Sequence, residues 1–173
     1  MNIRSAFVQS NKILEPIFEL EIINNQKILQ CLVKSWNCIE KFSKNIDSKS
    51  TRYFENQLEI LNVEDLPITN EMLLEASTIF NHMKEEANND VKIYLDSYFK
   101  LLKTLLIFNK PFSECCKTCH YNMYYYFDEN THHIIKECDF CGALFLAATD
   151  ENVTPEFISR LRPAKKNELL SYL

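Results

Sequence analysis

The apolar residues of this chain keep a helical period over roughly the first 110 positions and then change register. Ile28, Leu29, Leu32, Trp36, Ile39 and Phe42 recur every three or four residues, which predicts an amphipathic helix over about 25–44. Asn24 and Asn25 punctuate the chain before it, and KNIDSKS (44–50) reads as a loop. Tyr53, Phe54, Leu58 and Leu61 predict a shorter helix, with Pro67 as the stop. Met72, Leu73, Ala76, Phe80 and Met83 share one side of the next helix, which Thr69 or Asn70 can cap. Val91, Tyr94, Tyr98, Leu101, Leu102, Leu105 and Phe108 line another behind Asp90, and its end is apolar enough for the centre of a bundle. Residues 16–23 stay ambiguous: Phe18, Leu20 and Ile22 alternate with Glu19 and Glu21 as in a strand, but between helical neighbours.

After Asn109 the pattern favours strands. YNMYYYF (121–127) has high strand propensity, DENT (128–131) is a turn, HHIIK (132–136) returns, and ALFLAAT (143–149) makes a third strand. Alternation puts Tyr121, Met123, Tyr125 and Phe127 on a face expected to pack on the helical part. Asn122, Tyr124, Tyr126 and Asp128 form the other face, either exposed or packed on C-terminal helices. From Thr154, followed by Pro155, the chain is expected to turn helical again. Pro163 should open a second short helix that carries Leu169, Leu170, Tyr172 and Leu173.

Around the tyrosines stand two Cys-x-x-Cys pairs, Cys116 with Cys119 and Cys138 with Cys141, separated by 18 residues. Two cysteines three apart let one tight turn present both sulfurs to a single ion, and two such turns complete a tetrahedron. Zn²⁺ suits four thiolates because it imposes no competing geometry. Cys115 is an alternative to Cys116 at a longer spacing, though the turn favours Cys116. His132 and His133 read as strand residues, Cys31 and Cys38 as buried thiols, and His82 as solvated. The order knuckle, hairpin, knuckle, strand, over Cys116 to Asp150, resembles the zinc ribbon. That resemblance implies a small metal-organised fold and is nearly silent on function. Many ribbons carry glycine after both knuckles and a proline within the second. Here His120 follows the first knuckle and Asp139-Phe140 fill the second, which sets the chain apart from rubredoxin-like iron sites.

A module of about 40 residues cannot bury enough apolar surface to fold alone. Zinc binding contributes about 10–16 kcal/mol of apparent free energy in comparable peptides. Four cysteine ligands leave no position for water, so the expected Zn²⁺ is structural.

Composition narrows the function classes. Gly142 is the sole glycine, which excludes a P-loop, a dinucleotide fingerprint and a nucleophile elbow. The expectation is a protein that is not an enzyme. No apolar run reaches membrane-spanning length, and polar residues interrupt the N-terminal segment before it can read as a signal peptide. Seven cysteines without an export signal point to metal and free thiols, hence to a cytoplasmic chain without membrane contact.

The net charge is -5 overall, and residues 111–150 hold two basic against six acidic side chains, net -4. Four thiolates around one Zn²⁺ add a further charge of about -2. Such a surface repels phosphate, so a nucleic-acid partner is disfavoured. It suits a basic protein, with Tyr124, Tyr126, Asp128 and Glu129 as candidate contacts. Size and composition resemble bacterial toxin-immunity proteins and antitoxins, which implies occlusion of a basic toxin domain. The alternative is a zinc-ribbon nucleic-acid-binding or transcription accessory factor that uses Arg160, Arg162, Lys165 and Lys166. The fold class expected is α+β, mainly α: a helical domain over 1–110, a three-stranded zinc ribbon over 111–150 and a short helical tail over 151–173.

Overall fold

A computed structural model of the chain describes residues 2–19, 22–43, 62–111, 113–154, 156, 158 and 161–173. The fold is α+β and mainly helical. Helices α1 (Ile3–Leu14), α2 (Asn25–Ser43), α3 (Asn70–Glu86) and α4 (Val91–Leu106) precede strands β1 (Met123–Asp128), β2 (Ile134–Cys138), β3 (Leu144–Leu146) and β4 (Leu161–Pro163). The helix starts follow from side-chain caps. Asn2 Oδ1 accepts from the Ser5 amide and Asn24 Oδ1 from the Lys27 amide. Thr69 Oγ1 accepts from the Met72 amide, and Asp90 Oδ1 from those of Lys92 and Ile93. Thr69 is thus the cap of α3, and Asp90 caps α4 as its position suggests. The expected helix around Tyr53–Leu61 lies outside the described residues. Within the ambiguous 16–23 stretch, Glu15–Ile17 form a 3-10 turn, and Leu20 and Glu21 lie outside the described residues.

The chain divides into two compact units, Met1–Glu64 with Ala76–Lys103, and Asp65–Glu75 with Thr104–Leu173. The described elements of the first unit are helices and 3-10 turns. Phe7 stacks on Tyr94 with ring centroids 3.8 Å apart, and Phe18 stacks on Phe80 at 4.7 Å. Its buried hydroxyls are paired: Ser10 and Ser35 are 2.7 Å apart, Ser35 donates to Tyr98 at 3.0 Å, and Tyr94 donates to Asn11 at 2.9 Å. Burial without such partners costs about 1–3 kcal/mol per group, so these bonds keep the polar core tolerable.

The second unit carries an antiparallel sheet of strand order β3-β2-β1-β4. Met123 pairs with Cys138, Tyr125 with Lys136 and Phe127 with Ile134 across β1 and β2. The expected ribbon of three strands is therefore corrected to a sheet of four. The fourth comes from the expected helical tail: Leu161–Pro163 pair with Asp128, Phe127 and Tyr126 of β1. Pro163 sits there at a sheet edge, where its missing N–H costs no ladder bond, rather than at a helix start. The only helical piece described after it is a 3-10 turn, Lys166–Leu169. Pro155, Phe157, Ser159 and Arg160 lie outside the described residues.

Four turns in this unit close by one pattern. Cys116, Asp128, Cys138 and Leu146 each donate an amide to the carbonyl five residues on (Tyr121, His133, Ala143 and Glu151). Each also accepts, on its carbonyl, the amide four residues on. Those four residues, His120, His132, Gly142 and Asp150, all have positive φ between 58° and 69°. Only one is glycine; the others accept a left-handed cost of about 1–2 kcal/mol each.

Candidate metal centre

Two of these turns are the cysteine knuckles. Because they share one geometry, Cys116 and Cys119 are presented by the first as Cys138 and Cys141 are by the second. The sheet register brings them together, since β1 starts just after the first knuckle and β2 ends in the second, with Met123 opposite Cys138. The four sulfurs lie within 4.8 Å of one another. Cys116 and Cys141 are 3.7 Å apart, and Cys119 and Cys138 are 3.2 Å apart. A tetrahedral site with metal–sulfur bonds of about 2.3 Å has sulfur–sulfur edges of about 3.8 Å, so this tetrad fits a single ion. Met123 and Phe145 pack beside Cys116 and Cys138 in one apolar cluster. That cluster shields one side, while Cys141 is exposed.

Burial works against ionising Cys116, but amides of Thr118 and Cys119 and the neighbouring thiols outweigh it and hold its thiol below the ordinary value. At Cys138 burial prevails and pushes the thiol up, against amides of Cys141 and Phe140. The tetrad therefore holds protons that a bound metal must displace, which ties metal affinity to pH. Cys115 is exposed and outside the tetrad, so Cys116 is the knuckle cysteine that joins it. His132 and His133 are exposed and also outside it, and His132 lies edge-on to Phe127. Cys38 is buried as expected, whereas Cys31 is only half-buried.

The second predicted group behaves otherwise. Tyr124 and Asp128 are 0% exposed and Tyr126 is 7% exposed. Of the two alternatives for this face, the exposed one is overturned: Tyr124, Tyr126 and Asp128 are all covered. The Tyr124 hydroxyl lies 3.2 Å from that of Thr104, and burial, with Asp139 and Glu75 nearby, pushes it above the ordinary tyrosine value. Asp128 folds back to accept from the Thr131 hydroxyl at 2.7 Å and so closes its own turn. Glu129 is half-buried and pairs with Arg162 at 3.4 Å. Arg162 also binds Glu168 at 2.5 Å and lies over the Phe127 ring, and Lys165 binds Asp65 at 2.9 Å.

Sequence reasoning missed two features. Lys136, 7% exposed at its side chain, sits between Glu114 at 2.5 Å and Asp150, and Tyr125 donates to Glu114. Asp150 and Glu114 hold the ammonium above its ordinary value although burial opposes the charge. A cavity of about 170 Å³ beside this cluster is lined in part by Cys115 and Lys117. The other feature is a stacked pair, Tyr121 and Phe140, with centroids 4.5 Å apart and planes at 16°. They are 46% and 68% exposed, so Tyr121 is not the packed residue that alternation predicted. The available signal was local: Phe140 lies inside the second Cys-x-x-Cys turn, between Cys138 and Cys141.

Among the described residues no helix is long and apolar enough to cross a membrane. Neither a known protein family, a curated protein nor a solved structure matches the chain.

Proposed function

We propose that this chain is a non-catalytic protein-binding protein whose tetrad holds one structural Zn²⁺ in a ribbon-like module, and whose partner is a basic protein. The observation that carries the reading is the closed four-sulfur tetrad in an acidic module. Four thiolates saturate a tetrahedral ion, which favours organisation of the fold over activation of water. Charge favours a basic partner over nucleic acid, because phosphate would meet a net negative surface. The basic run that the nucleic-acid reading needs is engaged in internal pairs at Arg162 and Lys165, which supports the same choice. An immunity protein or antitoxin that masks a basic toxin in the cytoplasm is the version suggested by size and composition.

The test has two parts. Elemental analysis of freshly purified protein should give one zinc per chain. Affinity capture on the full chain, with and without added salt, should retain a basic protein that salt releases. Retention of nucleic acid in its place, or turnover dependent on the metal, sinks the reading.

A further inference from the structure

We propose that the stacked Tyr121–Phe140 pair is a docking platform for an arginine-rich segment of the partner. The proposal rests on the basic-partner reading and names its surface.

The two rings are held by the metal turns. The Tyr121 carbonyl accepts the Cys116 amide at 2.8 Å, and Phe140 lies inside the loop that the Cys138–Ala143 bond closes. Both are exposed, while Tyr124, Tyr125 and Tyr126 on the same ribbon are buried. Rings fixed in this way lose little freedom when a ligand settles on them.

Their surroundings are acidic. Asn122, next to Tyr121, donates to Glu75 at 2.5 Å, and its carbonyl accepts the Asp139 amide at 3.0 Å. Residues 111–150, which carry the pair, hold two basic against six acidic side chains, and thiolates on a bound Zn²⁺ would add negative charge. Lys117, the one lysine of the first knuckle, is drawn toward Asp150 at 3.5 Å. An arginine guanidinium matches both features, since it stacks on an aromatic face and carries the opposite charge. A nucleobase would match the rings alone, and its phosphate would be repelled.

The test is fluorescence anisotropy of a labelled oligo-arginine peptide titrated with full-length, zinc-loaded protein, beside a labelled oligo-dT. Wild type should bind the peptide in a salt-sensitive manner. Tyr121→Ala with Phe140→Ala should weaken binding about tenfold, with zinc content and circular dichroism unchanged. Tyr121→Phe and the buried Tyr124→Phe should bind like wild type. Should the alanine pair lose metal, Tyr121→Leu with Phe140→Leu removes the π faces but keeps apolar bulk, and carries the same expectation. A double variant that binds the peptide like wild type overturns the platform and leaves the basic-partner reading intact. Wild type that binds no peptide even at low ionic strength overturns both. Tighter binding of oligo-dT than of the peptide overturns the choice of occupant.

Discussion

Lys136→Met isolates the buried ion cluster, because methionine keeps most of the aliphatic stem and removes only the ammonium. The two pairs it breaks differ in worth. Glu114 is 26% exposed at its side chain and meets the Lys136 Nζ at 2.5 Å. This charge-assisted bond in a half-dry site should contribute about 1.5–3 kcal/mol. Asp150 is 47% exposed, keeps Lys117 at 3.5 Å, and is re-solvated cheaply, so its pair with Lys136 should contribute less than about 1 kcal/mol. Glu114 also keeps the Tyr125 hydroxyl in the variant, which limits the penalty of stranding it. The expected total is about 1.5–4 kcal/mol of local stability. Hydrogen exchange reads this directly at the Tyr125 amide, bonded to the Phe108 carbonyl, and at the Ala147 amide, bonded to that of Ile134. Double-mutant cycles with Glu114→Gln and Asp150→Asn should give the larger coupling to Glu114. Equal couplings, or a Lys136→Met effect below about 0.5 kcal/mol, would refute the argument that burial sets the worth of each pair.

Chelation of the metal should unfold the two knuckles and lower the β content of the second unit. Cys116→Ser should lose metal and Cys115→Ser should retain it, as read by elemental analysis. His120→Gly relieves a left-handed residue at φ 61° and should stabilise the first knuckle by up to about 1 kcal/mol. The opposite exchange, Gly142→Ala at φ 69°, meets no atom within 4 Å and should cost about 1 kcal/mol from the backbone alone; thermal melts check both. The Lys136 bond holds Asp150 below its ordinary 3.8, and Arg162 holds Glu168 below 4.5 against the effect of burial. Both carboxylates are depressed in the fold, so their contribution is complete above the ordinary values and is lost as pH falls through the lower folded ones. Urea midpoints of the zinc-loaded protein should therefore fall below about pH 4.5, and Glu168→Gln should flatten part of that slope.

How far the sequence reached is clearest at the tyrosines. Alternation separated Met123 and Tyr125 from Tyr124 and Tyr126, but it is silent on whether a face is covered. Coverage came from segments distant in sequence: Thr104 meets Tyr124, while Phe108, Ala164 and Leu169 gather around Tyr125. The fourth strand was equally hidden, because Leu161–Pro163 is three residues long and pairs with β1 only through tertiary proximity.

By itself the sequence determined the start of α4 at Asp90, the two strands between the knuckles and the four cysteines that the structure gathers. Each depends on residues close in the chain: a cap and its third amide, a period of 3.6 or 2, two thiols on one turn. Only the tertiary structure decided that the sheet has a fourth strand, that Lys136 is buried between two carboxylates, and that Tyr121 and Phe140 stand in water. Those outcomes depend on which distant segments exclude solvent from a side chain, and local periodicity carries no record of that.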